Sequence, residues 1–170
     1  VLEYGCSVGT LTLHLAEAVG PTGKVYAVDF SRNDLKIAMK RIDRALWLSQ
    51  ERLHGKVSVI HDKDQISRVH PSVPYADAAV SVGMLGYIQD VKKVLSELNE
   101  ILPDHGQVCF VDYCDFFHII PNKEWLSDND VIERVFREAG FSVRVLRKKG
   151  LFWNYVFVYG MKSEKDVAFV

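Results

Sequence analysis

The chain opens on a short apolar strand pattern, Val1-Leu2-Glu3-Tyr4, that runs into Gly5-Cys6-Ser7-Val8-Gly9 and then into a helical pattern from Thr10. Few folds accept a strand, a glycine turn of this length and a helix in immediate succession. Gly5 and Gly9 let the backbone turn tightly and pass close to whatever lies above the strand. A helix starting there points unpaired N–H groups at the same spot, which favours an anionic group. The opening therefore predicts an α/β sheet with a ligand loop after its first strand.

The rest of the chain repeats that unit. Strand patterns occupy residues 24–29, 56–61, 77–82 and 107–113, with helical periodicity over 11–19, after Ser31, after Asp90 and after Ser127. Ser31 with Asp34, and Ser127 with Asp130, have the spacing of a capping box. Gly140 is placed to end the last helix. Residues 141–147 and 153–159 flank a basic turn with Gly150 and read as an antiparallel hairpin. The expected fold is α/β: a doubly wound, mostly parallel seven-stranded sheet with an antiparallel C-terminal strand. Its helices lie on both faces, in one domain over residues 1–170.

Composition removes several function classes. Of the 170 residues, 48% are apolar and 25% charged, and the formal net charge of −1 gives no global field to recruit nucleic acid or an anionic membrane. No apolar run approaches the roughly 20 residues of a membrane span, and no leader pattern is present, so a cytoplasmic, reduced setting is expected. Cys6, Cys109 and Cys114 have neither disulfide-framework nor metal-ligand spacing, so no metal is expected. Cys109 lies in an apolar run and is expected in the core.

Asp29 ends the second strand, where an acid can accept hydrogen bonds from two ribose hydroxyls. A phosphate-binding Gly-Lys-Ser/Thr loop is absent. A dinucleotide loop needs glycine at positions 7 and 10, where Ser7 and Thr10 stand. The spacing present is acid-x-Gly-x-small-x-Gly. It resembles the first motif of the class I S-adenosylmethionine-dependent methyltransferases, with Ser7 in place of the middle glycine. The resemblance runs along nearly the whole chain: Asp77 begins a stretch like the family's fourth-strand motif, and Leu102-Pro103-Asp104-His105-Gly106 loosely resembles its turn before the fifth strand.

That resemblance implies S-adenosylmethionine as cofactor, held by Glu3, Gly5, Cys6, Ser7, Gly9, Asp29, Phe30, Asp62, Lys63 and Gly83. Asp29 takes the ribose hydroxyls and Asp62 the adenine amino group. Family members carry N-terminal lid helices before the first strand; nothing precedes Val1, so those helices are expected to be absent and this length of chain weakly active.

Methyl transfer asks mainly for proximity and alignment. An acceptor that loses a proton also needs a base. By residue type His118 is the base candidate, and Tyr113 the other candidate catalytic residue. Tyr113, Phe116, Phe117, Trp125, Phe152, Trp153 and Tyr155 crowd the C-terminal half, which suits a small apolar or aromatic acceptor such as a quinone precursor, isoprenoid or lipid-like molecule. Trp153 and Tyr155 alternate along a strand and are expected to pack on core and helix. Gly83-Met84-Leu85-Gly86 stands where relatives that methylate planar amide or base nitrogens carry Asn/Asp-Pro-Pro-Tyr/Phe, which argues against nucleic acid. A nicotinamide-dependent oxidoreductase and a non-catalytic scaffold subunit are the competing readings.

Overall fold

The computed structural model describes residues 1–48, 55–115 and 123–163. Seven strands form one sheet: β1 (Leu2–Tyr4), β2 (Val25–Asp29), β3 (Val57–His61), β4 (Ala78–Val82), β5 (Gln107–Cys114), β6 (Phe141–Lys149) and β7 (Asn154–Lys162). Their order across the sheet is β3-β2-β1-β4-β5-β7-β6. The first five pair in parallel, and β7 runs antiparallel to both β5 and β6. The expected mostly parallel sheet with one antiparallel C-terminal strand is the one found. Strand order reverses between β1 and β4, so the carboxyl ends of these two strands open the crevice where a ligand binds.

Helices α1 (Thr10–Ala18) and α2 (Arg32–Leu48) lie on one face and set Ala16 and Leu35 against Val25 and Ala27 of β2. Helices α3 (Val91–Ile101) and α4 (Asn129–Glu138) lie on the other. There Val94, Leu98, Ile132 and Phe136 bury the main core with Val108, Phe110 and Val158. Helix α3 starts where the sequence places it, because the Asp90 carboxylate accepts the Lys93 N–H at 3.0 Å.

Two local readings are corrected. Helix α4 is capped by Asp128, whose carboxylate accepts the Asp130 and Val131 amides, while the Ser127 hydroxyl turns away to donate to Asp115. At α2 the Ser31 hydroxyl accepts the Asp34 amide, but the Ser31 amide donates to Asp29, so only half the box forms. Strand β3 is followed by a short 3-10 turn, Gln65–Ser67. That turn is tied down by the Tyr4 hydroxyl, which donates to the Gln65 and Arg68 carbonyls, and by the Gln65 amide group, which donates to the Val28 carbonyl at 2.9 Å.

Cys109 is also corrected: it is exposed. Strand β5 alternates, with Val108, Phe110 and Asp112 buried and Gln107, Cys109 and Tyr113 on the opposite side. On that side α1 and α2 cover β2 and β3 and stop short of β5, β7 and β6. Tyr159, Met161 and Leu146 of the same half-face are 40%, 45% and 56% exposed. An apolar run in a parallel strand implies two covered faces, but here only one is covered among the described residues. None of the described helices is long and apolar enough to cross a membrane.

Candidate active site

The loop after β1 is built by its own backbone. The amides of Gly5 and Cys6 both donate to the Val28 carbonyl, at 2.9 and 3.0 Å, and the Gly9 amide donates to Cys6. Gly5, Ser7 and Gly9 all have positive φ, at 90°, 46° and 76°. Ser7 holds a conformation that favours glycine, and two bonds offset the cost: its amide donates to Asp29 at 2.7 Å and its hydroxyl to Asp34 at 3.3 Å.

Asp29 is the tie between two loops. One carboxylate oxygen accepts the Ser7 amide and the other the Ser31 amide, both at 2.7 Å. Each oxygen retains a lone pair for a further donor. Phe30 follows with its ring 39% exposed, 6.3 Å from that of Tyr87, which is 62% exposed. Phe30 follows β2 and Tyr87 lies in the segment after β4, the two strands that flank β1.

Under the loop, Glu3 is buried and accepts a hydrogen bond from the Thr12 hydroxyl at 2.5 Å. Burial pushes its carboxyl up to about 7; the Thr12 bond opposes the shift and the Asp29 charge adds to it. Burial also raises the Cys6 thiol, helped by the charges of Glu3 and Asp29, so this cysteine is no thiolate. The folded state thus holds a proton on Glu3 that the unfolded chain, near 4.5, releases earlier. Stability from this proton is complete below about pH 4.5 and is lost as the pH rises through 7. Glu3→Gln is expected to match wild type below pH 4.5 and to exceed it by at most about 3 kcal/mol above pH 7. Urea titrations across that range check this, and a difference independent of pH refutes it.

The loop after β4 completes the crevice. Gly83 has φ 74°, and a Cβ there would lie 3.4 Å from the Tyr113 ring. Tyr113 is 37% exposed at the end of β5, with Trp153 and Tyr155 rings 5.5 and 5.4 Å away. Trp153 and Tyr155 therefore pack on Tyr113, where a helix contact was expected.

Two further side chains hold this loop. Met84 is buried with its side chain against Gly5, which interlocks the β1 and β4 loops. Asp112 is buried and accepts the Gly86 and Tyr113 amides at 3.0 and 2.7 Å. Burial raises its carboxyl above the ordinary aspartate range while those amides oppose the shift. A lone acid inside the apolar strand Gln107–Cys114 is its signal in the sequence.

Asp62 is buried just past β3. Arg68 grips both of its oxygens, at 3.2 and 2.9 Å, and the Asp64 amide adds a third bond. These bonds hold its carboxyl below the usual range although burial alone would raise it. Lys63 beside it is exposed. The structure thus gathers Glu3, Gly5, Cys6, Ser7, Gly9, Asp29 and Phe30 around one loop, with Gly83 and Tyr113 across the crevice. His118 and the Phe116-Phe117 pair lie outside the described residues.

A backbone-lined glycine cradle, an acid with spare acceptor capacity and an exposed ring beside it fit an adenosyl cofactor. Sheet order and site together define a class I S-adenosylmethionine-dependent methyltransferase. The chain belongs to the methyltransferase domain family, whose pattern matches residues 1–146.

It is 26% identical to a demethylmenaquinone methyltransferase of Anoxybacillus flavithermus, over 82% of this chain and 68% of that protein. It is 29% identical to a 2-phytyl-1,4-naphtoquinone methyltransferase of Trichormus variabilis, over 77% of this chain and 55% of that protein. Among solved structures, an S-adenosylmethionine-dependent methyltransferase from Aquifex aeolicus superposes with a TM-score of 0.71 at 20% identity, covering 93% of this chain and 80% of the other. The nicotinamide alternative falls with these matches.

Proposed function

We propose that this chain transfers a methyl group from S-adenosylmethionine to a reduced quinone-type ring. The carrying observation is the aromatic wall of Tyr113, Trp153 and Tyr155 next to Gly83, on the side of the crevice away from Asp29. A flat apolar ring stacks against such a wall. The names of the two relatives, each a quinone methyltransferase, support the same acceptor class.

In this reading Asp29 accepts from the ribose, while Phe30 and the backbone at Asp62 and Lys63 border the adenine. The Gly5–Gly9 amides and Gly83 line the remainder. Bound there, the cofactor supplies a methyl group on a sulfonium, already activated for in-line displacement. Asp112 and Met84 fix the β4 loop so that Gly83 keeps its approach open. Tyr113 orients the acceptor ring. By residue chemistry, His118 is the base that takes an acceptor proton.

The test is a methyl-transfer assay with a short-chain naphthoquinol. Tyr113→Ala is expected to raise KM for the quinol about tenfold, with Tyr113→Phe near wild type and cofactor affinity unchanged in both. Cofactor binding without methylated product from any reduced quinone would overturn the acceptor assignment.

A further inference from the structure

The β6–β7 hairpin turns through Gly150–Trp153, closed by a Gly150 N–H bond to the Trp153 carbonyl at 2.9 Å. Its two central residues are Leu151 and Phe152, which are 82% and 47% exposed. Hairpin tips of this length ordinarily carry Gly, Asn or Asp, for conformational reasons and because the tip faces water. Placing Leu-Phe there costs solubility, and although the Phe152 ring rests 6.2 Å from that of Trp153, much of both side chains still meets water.

The residues leading into the tip are basic. Lys148 and Lys149 are exposed on the strand end just before it, and among the described residues neither has an ion-pair partner. The nearby acid, Asp115, is already taken by Ser127, Asn154 and Arg147. Two exposed apolar residues at a tip flanked by two exposed lysines match a bilayer surface: acyl chains accept the first and anionic headgroups the second. The tip also stands at the carboxyl edge of the sheet, since Asn154 pairs with Cys114 at the end of β5. The crevice mouth therefore faces the same way as the tip.

We infer that Leu151 and Phe152, flanked by Lys148 and Lys149, dock the protein on an anionic lipid surface. An apolar acceptor can then pass from the bilayer to the crevice without crossing water. The inference deepens the quinone reading, but its test contains neither acceptor nor cofactor, so either can fail alone.

Sedimentation of the full chain with vesicles decides it. Wild type is expected to pellet with vesicles of phosphatidylcholine and phosphatidylglycerol, and much less with phosphatidylcholine alone or at high salt. Leu151→Ser/Phe152→Ser should lower the partition coefficient tenfold or more on the anionic vesicles. Lys148→Gln/Lys149→Gln should lower it roughly fivefold per lysine there, with little effect on neutral vesicles. Unchanged circular dichroism and cofactor affinity establish that both variants fold. Wild type remaining in the supernatant, or a Leu151→Ser/Phe152→Ser variant that pellets like wild type, overturns the inference. So does a protein that ignores vesicles but forms a dimer dissolved by the same substitutions, which would assign the tip to protein contact.

Discussion

Asp29→Ala is expected to abolish S-adenosylmethionine binding, with affinity falling at least about a hundredfold, and to lower stability by about 3 kcal/mol. Both effects have one origin. The carboxylate holds the Ser7 and Ser31 amides at 2.7 Å, so it shapes the two loops of the proposed cofactor site as well as presenting its own lone pairs. Charge-assisted bonds of this kind contribute about 1.5–3 kcal/mol each, and removing the acceptor leaves two donors unmatched. The β2 register is set by backbone pairing from Val25 to Asp29, so the sheet should survive. Asp29→Asn keeps one carbonyl acceptor but turns its amide donor toward another N–H, so an intermediate loss is expected. Calorimetric titration and urea unfolding measure the two effects. An alanine variant binding within a fewfold of wild type would show that the acid does not border the cofactor.

Gly5→Ala has the larger expected cost in stability, about 3–5 kcal/mol. At φ 90° an alanine is strained, and its Cβ would lie 2.7 Å from the Met84 sulfur and closer still to Cγ. Met84→Ala removes a buried side chain and costs on its own, yet it empties the volume that the new Cβ needs. The two substitutions should therefore be less harmful together than their sum, by about 1–3 kcal/mol. A double-mutant cycle by chemical denaturation checks this. Strict additivity would mean that the β1 and β4 loops are not interlocked at this contact.

Most of the architecture was legible because it follows from local pattern. Apolar strands punctuated by Gly5, Gly20 and Gly140, with Asp90 ahead of a 3.6-residue repeat, give element order without any knowledge of contacts. What lay beyond reach depends on partners distant in sequence. The hairpin of β6 and β7 was readable, but not that its second strand, rather than its first, sits against β5. Cys109 looked like core because an apolar strand does not say whether a helix arrives above it. The cap of α4 moved by one residue because Ser127 found a better use at Asp115.

The site divides along the same line. Gly5, Gly9 and Asp29 show in the spacing because backbone geometry requires them. Met84, Asp112 and the Arg68 grip on Asp62 do not, because each joins elements that only the folded sheet brings together.

The position of β7 also governs how the molecule is made. This strand is the latest of the seven in sequence, yet it lies inside the sheet, between β5 and β6. During synthesis the chain emerges in order. Strands β1 to β5 can assemble as they appear, while β6 has no seat until β7 follows it. Until then β5 presents a free edge, and the aromatic wall lacks Trp153 and Tyr155. Completing the sheet and completing the proposed acceptor side are one late event, so the glycine loop after β1 can form well before that side.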